Sequence, residues 1–153
     1  MKRITLLTLL FILCFPVISS ALMEGPDVET ILDLTGNSTM SISSTTTVYT
    51  NSFKLSYGSQ FSGIYTAECN SGTPNKLIEL EQSDVVPASE GYSDSNYVEP
   101  DGASDIITLT DTNRHIKAFS PVATKYARYK LTGQGSNPAT ASISIKNSYL
   151  REQ

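Results

Sequence analysis

The chain contains 153 residues, of which 39% are hydrophobic and 17% charged, and its formal charge is −4. This length predicts a single domain that is large enough to bury a hydrophobic core. The acidic balance argues against a dedicated nucleic-acid binder, whose contact surface is basic. Two cysteines and one histidine exclude a multi-disulfide scaffold and the zinc folds that need several Cys and His ligands.

The N-terminal segment has the pattern of a secretory signal peptide. Lys2-Arg3 is a short basic stretch, Ile4–Ile18 is predominantly apolar, and Ser19-Ser20-Ala21 offers small residues for cleavage. The apolar run is shorter than the roughly 20 residues that a membrane-spanning helix needs, which disfavours an uncleaved anchor. We predict that residues 1–21 are removed and that residues 22–153 are exported, to the periplasm or the cell exterior, with no membrane span in the mature chain.

Cleavage changes both the charge and the cysteine count. The mature chain has 132 residues, and without Lys2 and Arg3 its nine basic residues face fifteen acidic ones, so the formal charge becomes −6. Cys69 is then the single cysteine, so no disulfide can form within the chain. An oxidising compartment leaves two alternatives, a buried inert thiol or a disulfide between chains, and we favour burial because free Cys behaves as a small hydrophobe.

The mature sequence is predicted to be all-β. Segments rich in Thr, Val, Ile and Tyr alternate with clusters of Gly, Pro, Asn and Ser, and no stretch has a sustained helical period. Val28–Leu34 is compatible with a strand or a short helix, and the strand is favoured. The further predicted strands are Thr39–Thr50, Phe53–Tyr57, Ile64–Cys69, Leu77–Leu80, Ile106–Leu109, Ile116–Phe119, Tyr126–Leu131 and Ala141–Lys146.

The last two of these strands are predicted to form a hairpin. Their apolar positions are Ala127, Tyr129 and Leu131 in the first strand and Ala141, Ile143 and Ile145 in the second. Because this period-two alternation lies on both sides of a Gly-rich loop, it indicates an antiparallel pair with one buried face.

Eight or nine short strands in about 130 residues are typical of an antiparallel two-sheet β-sandwich or jelly roll. We predict one such domain over residues 22–153. The longest gap between predicted strands is the acidic loop 84–105, and loops of this length are usually functional or mobile.

The charges are divided between two blocks. Residues 77–113 contain nine acidic residues and no Lys or Arg, whereas residues 114–151 contain seven basic residues and no acid. The favoured interpretation is that acidic and basic strands lie side by side and neutralise each other, each pair contributing at most about 1 kcal/mol. The alternative is a subunit whose acidic region contacts the basic region of the next copy, which would build rings or filaments.

The acidic loop is also a candidate calcium site, because calcium prefers six to eight oxygen ligands. The candidate ligands are Asp94, Asn96, Glu99, Asp101 and Asp105. No EF-hand pattern is present, and a solvated loop rich in turn-forming residues is the favoured interpretation. We therefore predict no metal and no cofactor.

Catalysis is disfavoured. His115 is the single histidine, and it is predicted to lie on a strand beside Ile116. A Ser-His-Asp set or a Cys69–His115 pair remains open because such partners meet in space, but no nucleophile-elbow motif surrounds any serine. We predict that the chain is not an enzyme and assign no catalytic residue.

Carbohydrate binding is the main alternative to a structural role, because sugar platforms are built from exposed aromatic side chains. The chain has eight tyrosines and no tryptophan. Tyr92 and Tyr97 in the acidic loop, and Tyr126 on the outward face of its strand, are the candidates, although ordinary loop and strand tyrosines are the more common case.

Two groups of segments resemble small β-sandwich proteins of bacteria and phage particles. The first is Ile78–Ser83 followed by Tyr97–Gly102, and the second is Ser120-Pro121-Val122 with Tyr126–Gly133 and Asn137-Pro138-Ala139. The resemblance lies in the order of strands and turns and covers residues 52 to 148. It implies a structural or attachment role on the exterior of a particle or cell, and it assigns no site residues.

These observations predict an exported, non-catalytic structural or surface-assembly protein, and the alternative interpretation of its charges adds self-association through regions 77–113 and 114–151. The alternative is an extracellular module that binds a surface glycan, with or without calcium. The expected partners are accordingly further copies of the chain or a glycan, and not nucleic acid.

Overall fold

Ten short β-strands in two antiparallel sheets make up the described part of the chain. The structure is a computed structural model, and it describes residues 27–55, 60–70, 72–85, 96–98, 106–119, 124–134 and 140–149. The predicted signal segment 1–21 and most of the loop 84–105 lie outside these residues. Nowhere in the described ranges is there a helix of the length and apolarity needed to span a membrane.

The first sheet contains five strands. Their bounds are Asp27–Ile31 (β1), Met40–Ile42 (β2), Phe61–Cys69 (β5), His115–Phe119 (β8) and Ala141–Tyr149 (β10). β1 and β2 both pair with β10, which pairs with β5, which in turn pairs with β8. The favoured strand interpretation of Val28–Leu34 is therefore confirmed over β1.

The second sheet also contains five strands. Their bounds are Thr47–Tyr49 (β3), Phe53–Lys54 (β4), Lys76–Ser83 (β6), Ile106–Leu109 (β7) and Tyr126–Gly133 (β9). β3 and β4 both pair with β9, which pairs with β6, which pairs with β7. Val98, which precedes β7 in the chain, forms an isolated antiparallel bridge to Gln82 of β6.

The strand pairing is nested, and this nesting defines the topology. β6 pairs with its successor β7, β5 pairs with β8, β3 and β4 pair with β9, and β1 and β2 pair with β10. The chain thus behaves as one long antiparallel hairpin that is wrapped into two sheets, which is the jelly-roll arrangement. The predicted all-β, antiparallel two-sheet β-sandwich is confirmed.

The predicted C-terminal hairpin is wrong. β9 and β10 belong to different sheets, and the connection between them crosses from one sheet to the other. Both strands do bury the predicted apolar side chains, and Tyr129 and Ile143 are completely buried. The alternation therefore identified the inward faces correctly, but it carries no information about which strand is the hydrogen-bonded neighbour.

The core lies between the inward faces of the two sheets. Eighteen buried apolar side chains form one continuous cluster there. Aromatic pairs join the sheets, since Phe61 of β5 meets Phe53 of β4 edge-on at 6.0 Å and Tyr65 meets Tyr129 edge-on at 5.7 Å. Cys69 is half-buried and packs against this cluster, which agrees with the expected buried environment only in part.

Candidate functional site

The outer face of the second sheet carries two ion pairs that join β6 to β9. The strand register places Glu81 opposite Arg128 and Glu79 opposite Lys130. Arg128 Nε lies 2.7 Å from Glu81 Oε2, and Lys130 Nζ lies 2.9 Å from Glu79 Oε2. Acidic and basic strands therefore neutralise each other inside one sandwich, which confirms the favoured interpretation of the charge blocks for these two pairs.

Two tyrosine rings enclose the guanidinium of Arg128. The ring centroid of Tyr49, on β3, lies 4.4 Å from Arg128 Cζ, and that of Tyr97 lies 4.3 Å from it. Tyr97 is 8% exposed and donates a hydrogen bond from its hydroxyl to Ser52 Oγ at 2.7 Å. We call Tyr49, Glu81, Tyr97 and Arg128 the arginine clamp.

The arginine clamp holds residues 96–98 against the outer face of the second sheet. Val98 and Gln82 exchange two backbone hydrogen bonds of 2.9 and 3.0 Å, while the Tyr97 ring reaches across β6 to Arg128.

Tyr97 was a candidate for an exposed sugar platform, and that prediction is wrong because its ring is covered and its hydroxyl engaged. Tyr126 is half-buried on the outward face of β9, as predicted, and Tyr92 lies outside the described residues.

A chain of polar contacts runs from the core to the rim of the first sheet. The Tyr129 hydroxyl donates to Asn147 Oδ1 at 2.8 Å, Asn147 Nδ2 donates to the Tyr149 hydroxyl at 3.3 Å, and that hydroxyl donates to Glu29 Oε2 at 2.8 Å. Burial raises the pKa of Tyr129 well above 10.0 and also raises the pKa of Tyr149, so both remain hydrogen-bond donors at neutral pH. The contact from Tyr149 fixes the position of the Glu29 carboxylate on the edge strand β1.

The candidate catalytic residues do not come together. His115 begins β8, as predicted, and its Nε2 lies 2.7 Å from Asp111 Oδ1, a hydrogen bond that lowers the pKa of the Asp111 carboxyl. His115 pairs with Tyr65, and Cys69 lies four residues further along β5, so about 13 Å of strand separates His115 from Cys69.

Among the described residues no group of three or more His, Cys, Asp or Glu could hold a metal ion. Of the calcium candidates only Asn96 is described, whereas Asp94, Glu99, Asp101 and Asp105 are not.

One buried cation was not anticipated from the sequence. Lys76 points inward from the first position of β6, is 1% exposed, and donates from Nζ to the Ser43 carbonyl oxygen at 3.2 Å. Burial lowers its pKa from 10.5, an effect that the nearby Cys69 thiol partly offsets. The sequence did contain a signal for this burial. The spacing of two residues places Lys76 on the same strand face as Ile78 and Leu80, which is the inward face.

Strands β1 and β8 lie on opposite edges of the first sheet and differ in charge, and β2 lies beside β10 on the same edge as β1. β1 carries exposed Asp27 and Glu29, whereas Lys117 lies within β8 and Arg114 directly precedes it. Each strand is five residues long and has one exposed aliphatic side chain, Val28 at 56% and Ile116 at 63%. Within the described ranges, no further strand lies beyond β1 or β8. We call these two strands the acidic edge and the basic edge.

No protein-family model matches this chain, and no curated protein matches it either. Among solved structures, the carbohydrate-binding module CBM4 is similar with a TM-score of 0.45 and 8% identity over 68% of this chain and 61% of that one. The K3 cleaved adhesin domain of Lys-gingipain from Porphyromonas gingivalis W83 is similar with a TM-score of 0.48 and 14% identity over 72% of both chains. A protein of infectious bursal disease virus is similar with a TM-score of 0.44 and 11% identity over 82% of this chain and 32% of that one. All three are β-sandwich proteins, and at this level of similarity the function has to be derived from the residues themselves.

Proposed function

We propose that the chain is an exported, non-catalytic structural subunit that associates with further copies of itself. The observation that carries this proposal is that β1 and β8, on opposite edges of the first sheet, have equal length and that each has an exposed large aliphatic side chain. Edge strands present backbone N–H and C=O groups to their surroundings and are ready templates for pairing with another chain.

The internal ion pairs direct the proposal to these edges rather than to the whole charge blocks. Glu79 and Glu81, from the acidic block, are engaged by Lys130 and Arg128 of the basic block within the same subunit. Both strands of this pair lie in the interior of the second sheet, where neither offers an edge. On the first sheet, the edge strands carry the exposed Asp27 and Glu29 on β1 and the half-buried Lys117 on β8.

The non-catalytic part of the proposal is supported by how the polar side chains are used. His115 is engaged by Asp111, and Arg128 is enclosed by two tyrosines and a carboxylate. In both places the polar groups satisfy one another, as buried polar groups in folded proteins generally do.

Glycan binding is the second candidate function. Tyr126 remains available as an aromatic contact on the outward face of β9, where it lies two residues from Arg128. A sugar ring stacked on this tyrosine would gain apolar contact, which is one part of the general character of small-ligand sites.

Sedimentation velocity of the exported protein over a concentration series tests the proposed function. We expect the sedimentation coefficient to rise with protein concentration at low ionic strength. A monomer at every concentration would contradict self-association. A glycan array probed with and without calcium, using Tyr126→Ala as the matched variant, then decides whether the second candidate applies.

A further inference from the structure

We propose that the basic edge of one subunit pairs antiparallel with the acidic edge of the next, so that the first sheet continues from copy to copy in an open filament. This inference rests on the proposed self-association and specifies its partner, a second copy of this chain, and the surface that it uses. The supporting observations are strand direction, side-chain parity and charge on β1 and β8.

Strand direction permits this contact. β1 is antiparallel to β10, β10 to β5, and β5 to β8, so β1 and β8 run in opposite directions. A copy that is displaced across the sheet and rotated by the twist that the strands accumulate therefore presents its β1 antiparallel to β8. Because the two surfaces in contact are different, the interface is heterologous and repeats without closing.

Side-chain parity fixes which residues face each other. Ile31 and Phe119 are buried on the inward face, so Val28 and Ile116 both lie on the outward face of the first sheet. Placing Val28 opposite Ile116 buries the exposed aliphatic side chain of each edge against the other. This register also places the inward-face residues Asp27 and Glu29 opposite Lys117 and His115, respectively.

The charges in this register are complementary. Directly opposed residues of an antiparallel pair have Cβ atoms about 5 Å apart, within reach of an ion pair. Asp27 would face Lys117 across the junction, and Glu29, held by Tyr149, would face His115. Lys117 is also the diagonal neighbour of Glu29, so both acidic residues of β1 lie near this lysine, whereas His115 is already hydrogen-bonded to Asp111 of its own subunit.

The same charges act against the two alternative contacts. Pairing two acidic edges would juxtapose Asp27 and Glu29 of both copies, and pairing two basic edges would juxtapose Lys117 of both copies. Like charges directly opposite each other destabilise a strand pair and suppress wrong partners. The edges therefore select each other, which distinguishes a head-to-tail filament from a two-fold dimer.

Exchanging one charge pair tests the register. Asp27→Lys and Lys117→Asp are each expected to weaken self-association by about tenfold or more, because each places like charges in contact. An equimolar mixture is expected to assemble as well as the wild type, since both junctions of an alternating filament then restore an opposite-charge pair. Asp84→Lys and Lys125→Asp, which are exposed and lie outside the first sheet, make the same charge changes and should leave assembly unchanged.

A disulfide ladder provides the second readout. In a Cys69→Ser background, Val28→Cys combined with Ile116→Cys is expected to oxidise into dimers, trimers and longer chains, because opposed Cβ atoms lie within disulfide range. Ser144→Cys combined with Ile116→Cys is the matched control, since Ser144 lies on β10 inside the sheet. Far-ultraviolet circular dichroism establishes that each variant is folded.

The outcomes separate this inference from the proposed function. If the wild type assembles but the mixture shows no rescue and no ladder forms, the edge pairing is wrong and the assembly function stands. If the wild type does not assemble at all, both are wrong. Rescue in the mixture together with a ladder supports both.

Discussion

Glu81 and Arg128 lie directly opposite each other on neighbouring strands, and their side chains meet at 2.7 Å on an outward face where both are almost completely buried. Strand alternation alone would leave this face to solvent. Tyr49 and Tyr97 cover it instead, so the guanidinium is removed from water and satisfied by a carboxylate and two aromatic rings. A buried charge pair of this kind is costly to break on one side only.

Removing the arginine is therefore expected to destabilise the fold strongly. Arg128→Ala leaves the Glu81 carboxylate buried without its partner, and we expect the free energy of unfolding to fall by about 3–5 kcal/mol. Urea denaturation measures this change. Lys146→Ala, on an exposed position of β10, is the matched control and should change stability by no more than about 0.5 kcal/mol. A loss below about 1 kcal/mol for Arg128→Ala would contradict the structural role of the clamp.

Tyr97 is expected to control how firmly the loop 84–105 is attached. Tyr97→Ala removes the ring from Arg128 and the hydroxyl from Ser52, so limited proteolysis should cut within the loop faster than in the wild type. Tyr97→Phe keeps the ring and loses only one hydrogen bond, worth about 1 kcal/mol, and should behave nearly like the wild type. Equal cleavage rates in all three proteins would contradict the attachment.

Lys76 is expected to make stability depend on pH. The pKa of Lys76 in the folded protein lies below its unfolded value of 10.5. At a pH between these two pKa values, the unfolded chain binds more protons than the folded one. The free energy of unfolding therefore rises with pH in this range. In Lys76→Met this rise should disappear, and the variant should be as stable as the wild type or more stable at neutral pH. Denaturation of both proteins from pH 7 to about 10 measures the difference. Parallel curves for the two proteins would show that the lysine is not desolvated.

Gly133 is expected to be intolerant of any side chain. A Cβ at this position would collide with the carbonyl oxygen of Ser43, and the Gly133 amide donates to the Thr46 carbonyl oxygen at 3.0 Å. The connection between β2 and β3 therefore passes directly over the end of β9. Gly133→Ala should lower the free energy of unfolding by about 1–3 kcal/mol, whereas Gln134→Ala, at the exposed next position, should be nearly neutral. Tolerance of alanine at residue 133 would contradict this close approach.

The sequence predicted most of the strands and their inward faces because both follow from local alternation. Thr39–Thr50, predicted as one strand, is instead two strands, β2 and β3, which lie in different sheets. Ala127, Tyr129 and Leu131 were assigned to the core from their spacing, and they are buried. The partner of a strand depends on contacts between distant parts of the chain, which alternation does not encode. The prediction that β9 and β10 form a hairpin was wrong for this reason. β9 pairs with β3, β4 and β6, whereas β10 pairs with β1, β2 and β5.

The sequence indicated that acidic and basic strands would pair, but not that the paired side chains would be buried. Glu79 and Glu81, and likewise Arg128 and Lys130, are two residues apart and so share one face of their strand. The burial of Arg128 depends on Tyr97, which reaches it from a segment without any periodic pattern. The acidic edge was missed because Asp27 and Glu29 lie outside the two charge blocks, and it became visible only when the strand order placed β1 at the rim of the sheet.

Light scattering of the wild-type protein across an ionic-strength series tests the central claim most directly. Exposed charges are screened over about 10 Å at 0.1 M salt and about 3 Å at 1 M, so pairing of the acidic and basic edges should weaken as salt is added. We expect assemblies larger than a dimer at low ionic strength and their dissociation toward monomers at high ionic strength. A monomer at both extremes would contradict self-association through the edges of the first sheet.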